Sequence, residues 1–146
     1  RVLFRSGMAP GNMLRLIRLV NKHIPLPFGS ARNSRDFINV KNLVEFIHLA
    51  VEKEVEGVFY PTDKVPYSTR NVVEEISRQL GVHTINLPSP SIFLKLIEKV
   101  RPDLYQKLWG DVVIDRQLAL SAIGYEPRYT LEDGIREMVE SFKRQK

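Results

Sequence analysis

Asn33-Ser34-Arg35-Asp36-Phe37-Ile38-Asn39-Val40, followed by Asn42-Leu43-Val44, is the stretch from which the rest of the chain is read. It predicts a short strand over Arg35-Asp36-Phe37-Ile38 that runs into a helix over 40–53 with the apolar stripe Leu43, Phe46, Ile47, Ala50 and Val51. Upstream, Met13, Leu16, Ile17 and Val20 recur at helical spacing, so 12–22 reads as an amphipathic helix with Asn12 placed to cap it. Pro25 and Pro27 forbid a helix through 24–28 and leave a turn-rich loop up to Asn33.

Downstream, Val58-Phe59-Tyr60 has the content of a buried strand. Ser68 and Gly81 bracket a helix over 69–80 with Val72, Val73, Ile76 and Leu80 inward. His83 to Leu87 reads as a strand ended by Pro88 and Pro90. Ile92, Phe93, Leu96, Ile97 and Val100 form a helix that continues, bent at Pro102, through Leu104, Tyr105 and Leu108. Val112-Val113-Ile114 is a last strand, and Asp115 caps a short helix through Ala122. In the final helix Leu131, Ile135, Met138, Val139 and Phe142 share a face, Thr130 and Asp133 form a capping-box variant, and Glu132/Arg136 and Glu140/Arg144 are spaced as ion pairs. Helices and strands alternate, but the strands are too few for a complete doubly wound sheet.

Composition narrows the classes. The chain has 146 residues, 43% hydrophobic and 27% charged, which is globular usage rather than a disordered tail or a coiled coil. No apolar run approaches the roughly 20 residues of a membrane span. Zero cysteine excludes disulfides, thiolate metal sites and thiol nucleophiles, and makes the cytoplasm the expected compartment. The net charge of +5 invites an anionic partner. Part of it lies in Arg1-Val2-Leu3-Phe4-Arg5-Ser6, which resembles one reading frame of the end of a high-throughput sequencing adapter. Residues 1–6 are therefore expected to be a non-native scar, and setting aside Arg1 and Arg5 lowers the charge from +5 to +3.

Several chemistries leave no pattern. The eight glycines, at 7, 11, 29, 57, 81, 110, 124 and 134, form no Gly-x-Gly-x-x-Gly turn. There is no Gly-x-Ser-x-Gly elbow, phosphate loop or His-Glu-x-x-His. His23, His48 and His83 lie far apart, so no metal is expected. Tyr60-Pro61-Thr62-Asp63-Lys64 matches Tyr-x-x-x-Lys, but that chemistry needs both side chains one helical turn apart, and Tyr60 ends a strand before Pro61. It reads as a decoy.

Gly11-Asn12-Met13, Pro27-Phe28-Gly29 and the 33–44 stretch, taken with Ile123-Gly124-Tyr125-Glu126-Pro127 and Thr130-Leu131-Glu132-Asp133-Gly134, resemble the substrate-binding half of the extended short-chain dehydrogenase/reductases, specifically the NAD-dependent epimerase/dehydratase family acting on nucleotide-activated sugars. The resemblance covers 7–146. It implies an α/β fold: a truncated C-terminal part of a Rossmann-type enzyme, with a mostly helical substrate-binding subdomain and a few short strands. It also implies that the glycine-rich turn, the catalytic Ser/Thr and the Tyr-x-x-x-Lys pair precede Gly7, so surface meant for that half is left exposed.

The resemblance assigns Arg35 to the diphosphate of a UDP-sugar, where a guanidinium fork suits two negative charges; a surface ion pair with Asp36 or Glu45 is the alternative. It assigns Phe28 to the loop that holds uracil, against a plain core Phe in a Pro-fixed loop. Asn12 and Met13 match a pair that meets phosphate at a helix N-terminus, although a simple cap explains Asn12 as well. Phe37 stands where a tyrosine is frequent. A further arginine and acid are usual near the last strand. Among Arg101, Asp103 and Asp111 none aligns without shifting the spacing before Asp115, and Asp111 is kept as a candidate against an ordinary loop carboxylate.

By the same resemblance the parent enzyme oxidises the sugar C4 hydroxyl by hydride transfer to NAD while a tyrosine phenolate takes the proton, and works as a homodimer. This chain would hold the UDP-sugar, bind no NAD and catalyse nothing alone. A 4-keto reductase or dehydratase of amino- or deoxysugars for surface polysaccharide is the second reading. A free-standing basic module, for instance one binding nucleic acid, is the third; the arginines are scattered over helix exteriors rather than clustered, which disfavours it.

Overall fold

The computed structural model describes residues 12–114 and 123–144. The adapter-like 1–6 segment and the helix expected from Asp115 through Ala122 lie outside the described residues. Six helices are present among them: α1 (Asn12–Asn21), α2 (Val40–Glu52), α3 (Thr69–Leu80), α4 (Ser91–Val100), α5 (Pro102–Trp109) and α6 (Leu131–Arg144). The chain divides into two compact units, one containing Pro10–Arg35 and Tyr67–Val112, the other containing Asp36–Pro66 and Val113–Lys146.

The first unit holds α1, α3, α4 and α5. Here α1 packs against α3 and α4 against α5. Met13, Leu14, Ile17 and Val20 are the buried face of α1, so Leu14 replaces the expected Leu16 on that face. α3 is bounded as its residues dictate. Ser68 and Asn71 form a reciprocal capping box, and Gly81 takes a left-handed φ of 73° that a Cβ would strain. Val72, Val73 and Ile76 fill its inner side. The bend expected at Pro102 is a full break: Arg101 is non-helical and Pro102, lacking an N–H, opens α5.

The second unit holds α2 and α6. Asn39 caps α2, accepting from the Lys41 amide. Phe46 meets Tyr125 edge-on at 5.3 Å and Phe59 at 6.0 Å, and Ile123 completes this small core. The apolar stripe expected for α2 is only half used. Phe46 is buried, but Ile47 is 52% and Val51 73% exposed, as is Val44 on the same side at 60%. α6 buries Leu131, Gly134, Ile135, Met138 and Val139. Its Thr130/Asp133 box is present in both directions, with Thr130 N donating to Asp133 Oδ2 at 3.0 Å and Asp133 N to Thr130 Oγ1 at 3.3 Å. Arg136 pairs with Asp133 at 3.4 Å.

The expected strands are the main correction. Among the described residues, extended pairing shrinks to isolated bridges: Leu26 with Asn86 in parallel, Arg35 with Tyr67 antiparallel and Arg35 with Val112 in parallel. Segments 35–38, 58–60, 83–87 and 112–114 carry strand-like composition, but each meets at most a residue or two of partner backbone. The segment from Val58 through Lys64 is not helical, so the Tyr60/Lys64 pair lacks the helix its chemistry needs. No helix among the described residues is long and apolar enough to cross a membrane.

Candidate functional site

The candidate residues gather around the end of α5. Arg35 is held first by its backbone, whose N–H donates to Tyr67 O at 3.0 Å and whose carbonyl accepts from Tyr67 N at 2.8 Å. Its guanidinium Nη1 then donates to two carbonyls in the last turn and cap of α5, Gln106 O at 3.2 Å and Gly110 O at 3.1 Å. Gln106 O also accepts from the Gly110 N–H at 3.2 Å, so Arg35 shares that carbonyl with the cap, and a cation there meets the negative end of the helix dipole. Partial burial pulls the Arg35 pKa down from its ordinary value, and the charge of Asp111 opposes that pull. In the other unit Asp36 Oδ2 accepts from the Ile114 amide at 2.7 Å.

Asp111 is brought to the same place. Its Oδ1 accepts from the Ser34 amide at 2.6 Å, and the next residue, Val112, donates its N–H to Ser34 O at 2.8 Å. The 33–35 segment is thus laced to 106–112 on both sides. Gly110 is required in that turn, because a Cβ there would come within 2.6 Å of Gln106 O.

Phe28 lies in the same unit. Phe28 is 4% exposed and its ring packs on Trp109 at 5.3 Å, while Tyr105 stacks on the same Trp109 at 6.0 Å. Its loop is pinned by Gly29 N donating to Leu87 O at 3.0 Å and by Ser89 Oγ donating to Pro27 O. A Cβ on Gly29 would lie 2.7 Å from Asn86 O, so the close approach excludes any side chain.

The remaining candidates are placed differently. Met13 is buried in the α1 face. Asn12 is exposed and already helical rather than a cap, and what precedes it lies outside the described residues. Phe37 belongs to the other unit, where it is buried and its carbonyl accepts from Asp63 N at 2.7 Å. Among the described residues no cluster of three metal-ligating side chains exists.

Sequence reading passed over Asn33, Thr69 and Trp109. Asn33 and Thr69 are both buried and bonded to each other and to the α5 end. No local pattern marks them, since their partners lie 36 to 77 residues away. Trp109 could have been flagged as the chain's single tryptophan.

No family model matches the chain. A UDP-glucose 4-epimerase of Vibrio cholerae is 33% identical over 136 residues, covering 90% of this chain and 42% of that protein. The chain therefore spans about two fifths of the length of the curated relative it matches. Among solved structures, a Thermus thermophilus UDP-glucose 4-epimerase in complex with NAD superposes with a TM-score of 0.67 at 20% identity, over 96% of this chain and 43% of that one. A GDP-mannoheptose C4 reductase from Campylobacter jejuni with NADP bound gives 0.67 at 16% identity, over 95% and 46%. At those identities the structures speak for the fold, and the Vibrio relative for the likeness in sequence. The chain is similar to the UDP-glucose 4-epimerase-like members of the extended short-chain dehydrogenase/reductases, the NAD-dependent epimerase/dehydratase family.

Proposed function

We propose that this chain supplies the nucleotide clamp of an NAD-dependent UDP-hexose 4-epimerase. The observation that carries the reading is Arg35, a half-buried guanidinium anchored on Gln106 O and Gly110 O with Asp111 beside it. A planar fork already ordered in this way loses little freedom on meeting a diphosphate, which is what makes an arginine effective at such a site. In this reading the 27–29 loop offers its backbone to the base, since the Phe28 ring is committed to Trp109. Asp111 serves the ribose, and Asn12 and Met13 place the start of α1 near phosphate.

NAD, when bound to such an enzyme, accepts and returns the hydride at the sugar carbon. The described residues contain no glycine-rich strand-to-helix turn of the kind that cradles a dinucleotide diphosphate. They do not fit that role, so we place the dinucleotide in the part of the enzyme that the match to the Vibrio relative leaves uncovered. The whole enzyme would then be the homodimer of two-part subunits that the family resemblance implies, and the chain by itself would bind no NAD and turn nothing over.

Calorimetric titration of the 146-residue chain with UDP tests the clamp. Binding is expected for the native chain and a loss of at least about tenfold for Arg35→Ala, the size of a charge-assisted fork. No UDP binding by the native chain would overturn the reading. A second reading, a 4-keto reductase, is kept because the Campylobacter reductase shares the fold, and the fold does not separate the two chemistries. Product analysis with the full-length parent separates the two: epimerisation consumes no net cofactor, whereas reduction consumes one per turnover.

A further inference from the structure

Arg35 lies two residues from Asn33 on an extended segment, so the two side chains leave the backbone on the same side. Both reach the same acceptor. Gly110 O receives Arg35 Nη1 at 3.1 Å and Asn33 Nδ2 at 3.3 Å, which fills the two lone pairs of that carbonyl.

The rest of the Asn33 carboxamide is equally committed. Its oxygen accepts from Thr69 N at 3.0 Å, the first helical amide of α3 and one with no partner inside the helix. Its nitrogen also donates to Thr69 Oγ1 at 3.0 Å and, more weakly, to Leu108 O at 3.4 Å. Thr69 Oγ1 donates onward to Leu108 O at 2.7 Å. One side chain that is 8% exposed therefore joins the start of α3 to the end of α5. Only an amide suits the place. A carboxylate would face the Leu108 and Gly110 carbonyls with no donor, and an alanine would leave the Thr69 amide and the Gly110 carbonyl short of partners in a buried setting.

On these grounds, and resting on the diphosphate reading of Arg35 above, we infer that Asn33 is a positioning residue for the Arg35 guanidinium: it fixes the Gly110 carbonyl on which Arg35 is anchored. Asn33 touches no substrate in this scheme; it acts through Arg35.

The test uses the 146-residue chain with Asn33→Ala and the milder Asn33→Ser, which keeps an oxygen for Thr69 but cannot reach Gly110. Val73→Ala, a core truncation in α3 away from these hydrogen bonds, serves as the stability-matched control. Three readouts are taken: UDP affinity, uridine affinity, and the side-chain Nε–H resonance of Arg35. The expected result is a fall in UDP affinity of about tenfold in the Asn33 variants, comparable to losing one charge-assisted contact. Uridine affinity should stay unchanged, the Arg35 resonance should shift, and Val73→Ala should keep native UDP affinity. An unmoved Arg35 resonance in a folded Asn33 variant would overturn the inference, as would an equal UDP loss in Val73→Ala. If the native chain fails to bind UDP while the Arg35 resonance still moves in Asn33→Ser, the clamp reading falls and the positioning of Arg35 by Asn33 stands.

Discussion

Asn42 Nδ2 donates to Asp63 Oδ1 at 2.6 Å, and the two side chains are 0% and 2% exposed. Around this pair the second unit closes. Asp63 Oδ1 also accepts from Asn39 N at 2.9 Å, at the start of α2. Asn42 Nδ2 donates to Tyr129 O at 2.7 Å, and its oxygen accepts from Arg128 N at 3.1 Å and Tyr129 N at 3.0 Å. A single buried carboxamide thus fixes α2 to the turn that leads into α6. Asn42→Ala would leave those backbone groups and Asp63 short of partners, at a cost of about 3 kcal/mol. The expected drop in melting temperature is about 10 °C by thermal unfolding, given a few degrees per kcal/mol at this size. A drop under a couple of degrees would mean that water replaces the lost partners and that the cluster is not a keystone.

Asp63 makes stability depend on pH in an unusual direction. Burial raises its pKa above the ordinary carboxylate value, outweighing the hydrogen bonds from Asn39 and Asn42. With a folded pKa above the unfolded one, the folded state holds its proton where the unfolded chain has lost it. The contribution is therefore fully present below the unfolded value and is lost as pH rises through the folded one. Asp133 acts oppositely. The Thr130 amide holds its carboxyl below the ordinary value, so its contribution is present above the unfolded value and fades as pH falls through the folded one. Asp63→Asn keeps an oxygen acceptor and removes the titration. Urea midpoints measured from about pH 4 upward should show the variant gaining on the native chain as pH rises, with the gap levelling once Asp63 is ionised. A gap that is flat across the range would contradict the sign.

Gly29→Ala should displace the 27–29 loop. The new Cβ would meet the backbone oxygens of Asn86 and Leu87 at 2.7 and 2.9 Å, atoms that cannot swing aside as a side chain can. Overpacking of this kind costs about 1–3 kcal/mol. Phe28 follows the loop, and its ring lies 5.3 Å from the chain's one tryptophan, so Trp109 fluorescence reports the change directly. A shifted emission maximum is expected at temperatures where α-helical circular dichroism is still native; an unchanged spectrum would show that the loop yields elsewhere.

Arg35→Lys is expected to resemble Arg35→Ala in UDP titrations rather than the native chain. Lysine keeps the charge but cannot span Gln106 O and Gly110 O, 3.2 and 3.1 Å from a single guanidinium nitrogen, while still presenting a planar fork outward. Retention of native affinity by the lysine variant would show that charge alone, without the anchored geometry, accounts for binding.

The residues whose structure is decided within a few positions were legible in the chain. Ser68, Asn71 and Gly81 bound α3 where capping chemistry places them, and Thr130 with Asp133 starts α6. Pro102 was read as a bend in one helix, and the structure makes it the break at which α5 begins. Arg35 and Phe28 could be singled out by their resemblance to a family pattern, Asp111 only as a candidate that did not align with it, and the fold puts the three in one unit.

What depends on distant partners was not legible. Val58-Phe59-Tyr60 and His83 to Leu87 have the composition of strands, but a strand exists only if a neighbour offers a matching edge, and among the described residues only single bridges form. The stripe on α2 shows helical period, yet period does not say what covers it, and Val44, Ile47 and Val51 stand exposed. Asn33 and Asn42 looked like ordinary loop and helix residues. Their importance comes from hydrogen bonds to positions 77 and 87 residues away, which no local pattern encodes. The chain by itself determined where helices start and stop, because capping and proline chemistry act over one turn. Tertiary structure alone decided which polar side chains are buried and therefore must be satisfied, because burial is a property of everything that packs around them.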